Sequence, residues 1–204
     1  MILVGWLDSP FVRRVAVTMN HYAMPFERST LSVVRDAEEL KKINPLIQVP
    51  ALILDDGEVL IESQIILDYL DETAGPEKSL TPAGGAARRE VLKISAIAKG
   101  LGEKSVALNF EKKYRKDDAR SPRVSARIKS QITQALEWLE ELKPDPWFKG
   151  ENMTQADVTA ATGTTYLFNK HPEFFSKDDF PVMAALNERA EALLAFQASP
   201  FQAE

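Results

Sequence analysis

The sequence predicts an α/β half followed by an all-helical half, and three observations carry the prediction. Stretches that read as strands fall at residues 2–6, 26–31, 51–54 and 59–61, all in the first third of the 204-residue chain, with helical patterns between and after them. A stretch holding Pro76, Pro82 and Gly84 then interrupts the pattern. Beyond it strand patterns disappear and helical periodicity takes over. The chain thus divides into residues 1–75, a linker at 76–84 and a helical part at 85–204. Each half is small for an independent domain, so tight packing of the two is expected.

Composition bounds the function. The 45% hydrophobic and 27% charged residues are those of a soluble globular protein. A net charge of −5 argues against a nucleic-acid surface or an anionic membrane as partner. No apolar run approaches the ~20 residues of a transmembrane helix. The first residues show neither the basic region nor the cleavage site of a signal peptide. Cysteine is absent, which excludes disulfides, a protein thiolate nucleophile and cysteine metal sites, and fits a cytoplasmic location.

In chain order, residues 2–6 read as a buried strand. Ser9 as N-cap and Pro10 at the first helical position start a helix. Phe11, Val12, Val15, Ala16 and Met19 give it apolar spacing, and Arg13 and Arg14 between them are expected to be partly solvated. It ends before Pro25. A second strand follows at 26–31, then a polar helix at 35–42 with Leu40 and Ile43 inward. Asp55-Asp56-Gly57-Glu58 joins the runs on either side as a hairpin. Glu62-Ser63 opens an amphipathic helix with Ile65, Ile66, Tyr69 and Leu70 inward and Asp68, Asp71 and Glu72 outward, stopped by Gly75-Pro76. Residues 86–116 form one long helical pattern. Ser121-Pro122 starts another, which runs to 142 and is broken by Lys143-Pro144-Asp145-Pro146. Trp147-Phe148-Lys149-Gly150 is a tight apolar turn. Thr154-Gln155-Ala156-Asp157 has the capping-box pattern with Asp in the third place, and the Ala-, Thr- and Gly-rich helix it opens is expected to be the buried axis of this half. Residues 181–196 supply one or two last helices, and the tail from Ala198 is expected to fray.

Pro45 and Pro50 bracket the stretch Asn44-Pro45-Leu46-Ile47-Gln48-Val49-Pro50-Ala51-Leu52 and keep it from being helical. A cis Val49–Pro50 peptide would turn the Val49 N–H and C=O outward, where an extended peptide could pair with them as one more strand. Taken alone, these residues read more simply as a loop leading into a strand.

Ser9-Pro10-Phe11-Val12-Arg13-Arg14-Val15, Asn44-Pro45 with Val49-Pro50-Ala51-Leu52, and Glu62-Ser63 with Ile65-Ile66-Leu67-Asp68-Tyr69-Leu70 together resemble the cytosolic glutathione transferases. Gly150 with Thr154-Gln155-Ala156-Asp157 is similar to the capping box of that family's helical domain. The match runs through the whole chain in order. The resemblance implies a thioredoxin-like N-terminal domain followed by an all-α C-terminal domain, glutathione as co-substrate, a detoxification role and a homodimer. The Trp6-x-x-Ser9-Pro10-Phe11 form is most similar to serine-type classes such as tau and zeta and to bacterial relatives. Ile47 stands where the family often has Gly or a polar residue, and Gln48 where several classes have Lys.

On this resemblance Ser9 is the catalytic candidate. Its hydroxyl would donate to the glutathione sulfur at a helix N-terminus and favour the thiolate; by itself it reads as an N-cap. Gln48, Val49 and Pro50 would hold the tripeptide, Val49 through its backbone. Glu62 would balance the ligand's α-amino group. Ser63 and the first N–H groups of its helix would take the γ-glutamyl α-carboxylate, although Ser63 alone also reads as an N-cap. Phe11, Phe110, Tyr114 and Tyr166 would line a site for a small apolar electrophile, and each is more simply a core residue. Arg35 or Lys42 would meet the glycyl carboxylate or only solvent. His21 and His171 lack metal-ligand spacing, so no metal is expected. There is no P-loop, GxGxxG or nucleophile elbow. The expected function is transfer of small electrophiles to glutathione. A glutathione-dependent isomerase, a peroxidase and a non-catalytic binding module on the same fold are the alternatives. Asp8 and Pro10 beside Ser9 count against the isomerase, whose signature carries extra serines there.

Overall fold

The computed structural model describes residues 1–202. The chain forms two compact units, Met1–Gly85 together with the chain from Glu191 onward, and Ala86–Ala190. The last segment therefore belongs to the first unit and not with the helices that precede it.

The first unit contains β1 (Ile2–Val4), α1 (Pro10–His21), β2 (Glu27–Ser29), α2 (Ala37–Ile43), β3 (Ala51–Ile53), β4 (Val59–Ile61) and α3 (Ser63–Ala74). The four strands are ordered β2-β1-β3-β4, with β1 parallel to β2 and the other pairs antiparallel. Leu3 lies opposite Leu52 and Val4 opposite Ala51. Side chains alternate across a sheet, so these pairs serve different faces. Leu3 and Leu52 pack with Val12, Val15, Ala16 and Met19 of α1 and Ile66, Leu67 and Leu70 of α3. Val4 and Ala51 pack with Leu40 of α2.

Four expectations are corrected here. Arg13 and Arg14 are each only 1% exposed. Residues 12–19 of α1 are all buried, so this helix has no solvated face at those positions for the arginines to occupy. Asp71 is buried because it accepts from the Tyr22 hydroxyl, whose oxygen in turn accepts from the Leu80 N–H at 2.6 Å. Ile65, expected inward, is 57% exposed, since the buried stripe of α3 runs through Ile66, Leu67, Leu70 and Asp71. The tail is anchored at Ser199, whose hydroxyl accepts from Asn20 Nδ2 at 2.8 Å and whose carbonyl accepts from Arg13 Nε at 2.8 Å. The segment also holds α8 (Leu194–Gln197), with Phe196 buried.

The second unit is helical: α4 (Gly85–Tyr114), a single 3₁₀ turn at Asp117–Ala119, α5 (Pro122–Glu141), α6 (Gln155–Lys170) and α7 (Pro181–Glu191), of which the end residues Gly85 and Glu191 count with the first unit. Every residue of α6 from Gln155 to Leu167 is buried. Gly163 explains the close approach of α4, because a Cβ there would stand 3.4 Å from the Ala98 carbonyl oxygen. Asp157 fastens the start of α6. Its carboxylate accepts from the Thr154 N–H and hydroxyl, both at 2.7 Å, and from the Phe148 N–H at 2.8 Å. Trp147 and Gly150 close the preceding turn with reciprocal N–H···O bonds of 3.2 and 3.1 Å. Among the described residues no helix is long and apolar enough to cross a membrane.

Candidate active site

Two segments of the first unit meet at Gly5, and a third is tied to them through α1. This residue follows β1 with φ 124°, and a Cβ on it would stand 2.6 Å from Val12 Cγ2 and 2.9 Å from Val49 Cβ. Its missing side chain lets the first turn of α1 and the loop before β3 meet. The third segment, the start of α3, is tied to α1 by Arg14, whose Nη2 donates to Ser63 Oγ at 2.7 Å.

Ser9 is the N-cap of α1 and Pro10 occupies the first helical position. Ser9 Oγ accepts from the Val12 N–H at 3.4 Å. This uses a lone pair and leaves the hydroxyl proton for an outside acceptor, so capping and donation are compatible. The helix N-terminus adds a partial positive charge at the same place. Phe11 is half-buried beside Ser9. Arg35 places its guanidinium carbon 5.8 Å from the Trp6 ring centroid, and the Trp6 carbonyl accepts from the Ser9 N–H at 3.2 Å. Lys42 instead lies in solvent, paired with Glu39 at 2.7 Å.

The loop from Asn44 to Pro50 is held by Asn44, a buried residue. Its Nδ2 donates to the Gln48 carbonyl at 2.8 Å, its Oδ1 accepts from the Leu46 N–H at 3.0 Å, and its own carbonyl accepts from the Ile47 N–H at 2.9 Å. Those bonds hold Ile47 at φ 52°, a conformation rare for a β-branched residue and natural to glycine. Val49–Pro50 is cis. Among the described residues the Val49 N–H and C=O make no hydrogen bond. The Gln48 side chain is exposed.

Glu62 has φ 69° and ψ 119°, a backbone conformation that costs about 1–3 kcal/mol for a non-glycine residue and clusters at ligand sites. Glu62 is the N-cap of α3, its Oε2 accepting from the Gln64 N–H at 2.9 Å. Ser63 is therefore the first helical residue and not the cap, which removes one of the two readings of its sequence position. Its Oγ accepts from Arg14 and donates to Glu62 Oε1 at 3.3 Å. With a permanent cation on its lone pair, the hydroxyl is left to act as a donor.

Sequence reasoning missed Gly5, Arg14 and the holding role of Asn44. Arginine inside an otherwise apolar helical run was the available signal for Arg14. In the second unit, Phe110 and Tyr114 lie one turn apart on α4, 42% and 46% exposed, with ring centroids 5.0 Å apart. Tyr166 is 3% exposed in α6 and offers almost no surface to a substrate. Among the described residues no group of acidic and histidine side chains could hold a metal ion.

Comparison with known proteins agrees with this arrangement. Residues 3–78 match the family model for the glutathione S-transferase N-terminal domain. A crystal structure of a glutathione S-transferase from Methylobacterium radiotolerans, in complex with glutathione sulfonate, has a TM-score of 0.92 and 28% identity, covering 100% of this chain and 96% of that one. The GST-like protein YibF of Escherichia coli is 26% identical over 167 residues, 82% of each chain. A probable maleylacetoacetate isomerase 2 of Drosophila melanogaster is 35% identical over 101 residues, 47% of this chain and 44% of its own length. The sheet order and the cis-proline before β3 define a thioredoxin-like unit, joined in one chain to a helical unit. Residues 3–78 thus match the glutathione S-transferase N-terminal domain, and the chain over its whole length is similar to glutathione S-transferases.

Proposed function

We propose that this protein binds glutathione across Ser9, Val49 and Ser63 and activates its thiol for attack on small, apolar electrophiles. The observation that carries the reading is the convergence of three differently equipped groups in one unit: a hydroxyl proton at a helix start, an unpaired backbone edge, and a serine held as donor by a buried arginine. Ser9 donates to the sulfur and stabilises the thiolate. Val49 pairs with the cysteinyl backbone as an added strand would, with Gln48 and Pro50 flanking it. Ser63 and the first N–H groups of α3 take the α-carboxylate, and Glu62 balances the α-amino group. The thiol proton passes to solvent, the sulfur lone pair forms the new C–S bond, and the leaving group departs with its electron pair. Phe11 offers apolar surface beside Ser9. In the second unit the exposed rings of Phe110 and Tyr114 suit an apolar electrophile, whereas Tyr166 serves the core. Leu46 and Ile65 are among the exposed large apolar residues of the first unit, and a second copy in a homodimer would cover them.

Calorimetry with glutathione and S-methylglutathione tests this. Both should bind, and glutathione alone should release a proton near neutral pH. Ser9→Ala should still bind while turnover falls by about a hundredfold, the scale for loss of one donor to a reacting anion. No binding at millimolar ligand overturns the reading. The similarity to a probable maleylacetoacetate isomerase favours one second reading, in which the same thiolate adds to an unsaturated substrate and later leaves. Turnover of such a substrate without consumption of glutathione identifies it.

A further inference from the structure

Thiolate stabilisation by Ser9 requires that the first turn of α1 be held in place, and the structure holds it from an unexpected direction. Arg13 Nη1 and Nη2 donate to the two carboxylate oxygens of Glu191, each at 2.6 Å, and its Nε donates to the Ser199 carbonyl at 2.8 Å. Its guanidinium carbon lies 5.5 Å from the Phe196 ring centroid. Two turns further along the same face of α1, Asn20 Nδ2 reaches the Ala195 carbonyl at 3.2 Å and the Ser199 hydroxyl at 2.8 Å. Ser199 thus receives both ends of the helix, one on its carbonyl and one on its hydroxyl. The Arg13 N–H donates to the Ser9 carbonyl at 2.9 Å, so Arg13 closes the turn that Ser9 begins.

We infer that the chain from Glu191 to Ser199 is a strap that sets the position of Ser9 through Arg13, which makes Arg13 and Glu191 positioning residues for thiolate formation. The inference rests on the glutathione reading above. A guanidinium this buried stays where it is only while a carboxylate neutralises it. Without that charge Arg13 moves toward water and takes the first turn of α1 with it. A bidentate arginine–carboxylate pair fixes direction as well as distance, which is what a hydroxyl aimed at a sulfur requires. Ser63 is held from the other side of the helix by Arg14, so the strap governs the thiol end of the ligand and not the carboxylate end.

The test is Glu191→Gln in the full chain. The pKa of the bound glutathione thiol, read from thiolate absorbance, should rise by about one unit, so that thiolate and kcat at neutral pH fall about tenfold. Affinity for S-methylglutathione, which has no thiol, should change by less than about twofold, a change within ordinary contact variation. Glu191→Asp should recover part of the loss. A folded Glu191→Gln protein with lower Tm but the wild-type thiol pKa overturns the inference, because packing alone would do that. Should Glu191→Gln not fold, Arg13→Lys, which keeps the charge but gives up the two-point pair with Glu191, decides by the same titration, with a raised thiol pKa supporting the strap and an unchanged one overturning it. If the wild-type protein binds no glutathione, the functional reading falls separately. Amide exchange at Val12 and Arg13 then decides: faster exchange in Glu191→Gln supports the strap and unchanged exchange overturns it.

Discussion

Replacing Ser63 by alanine separates two jobs that one hydroxyl performs. The oxygen accepts a 2.7 Å bond from Arg14, and the proton is spent only on a 3.3 Å contact to Glu62. In Ser63→Ala the guanidinium N–H loses its acceptor in a buried place, which costs about 1–3 kcal/mol of stability. No capping loss adds to this, because Gln64 is capped by Glu62. A hydrogen bond to the charged α-carboxylate of glutathione contributes about 1.5–3 kcal/mol, so Kd should rise by roughly 10- to 100-fold. At saturating glutathione kcat should stay within about threefold, since the hydroxyl does not touch the sulfur. Urea unfolding gives the first quantity, calorimetry the second and steady-state rates the third. A glutathione analogue without the α-carboxylate is the control and should bind both proteins alike. Unchanged Kd together with lost stability would refute the reasoning, leaving Ser63 as a structural partner of Arg14.

Gly5→Ala puts a Cβ 2.6 Å from Val12 and 2.9 Å from Val49 at φ 124°; it should destabilise by about 3 kcal/mol or more and weaken glutathione binding, seen in a thermal melt and in calorimetry. Asp157→Ala leaves the Phe148 and Thr154 donors without their acceptor and should cost about 3 kcal/mol in urea unfolding, with glutathione affinity unchanged. His171 lies buried with Nε2 bonded to the Ser105 carbonyl at 2.9 Å and Nδ1 without a hydrogen-bond partner among the described residues. Burial pushes its imidazole below the ordinary value, against the Ser105 carbonyl and Glu173 and with Lys112 and Lys129. The folded state therefore binds fewer protons than the unfolded one, and stability should fall as pH drops below the unfolded value of about 6.5. His171→Gln should flatten that part of the pH–stability curve, and an unaltered slope would remove His171 as its cause.

The elements legible in the sequence were those whose signals are local. Ser9 before Pro10, Ser121 before Pro122, and Thr154 with Asp157 marked helix starts that the structure contains. Short continuous apolar runs on either side of the Gly57 turn marked β3 and β4. The candidate site was legible as motifs, since Ser9, Val49-Pro50 and Glu62-Ser63 are each short runs. What stayed hidden was what joins them. Arg14 meets Ser63 across 49 positions, and Arg13 meets Glu191 across 178. Nothing in the spacing of either arginine names its partner. The same holds for Asp71, whose burial depends on Tyr22 at a distance of 49 positions.

The misplaced arginines follow from one assumption, that a helix with apolar residues at 12, 15, 16 and 19 keeps a wet face opposite them. That holds for a helix lying on the surface of a core. Here α1 is covered on that face as well, by the chain from Glu191, with Asn20 bonded to Ala195 and Ser199. Polar residues on the covered side must then be satisfied within the protein. Thr18 does so locally, donating to the Arg14 carbonyl at 2.9 Å. Successive residues point about 100° apart around a helix, so neighbouring arginines leave it in different directions. Arg13 turns to the terminal segment and Arg14 to the start of α3. Their adjacency in the sequence, which suggested a solvated charge pair, is what ties the helix carrying Ser9 to two separate parts of the chain.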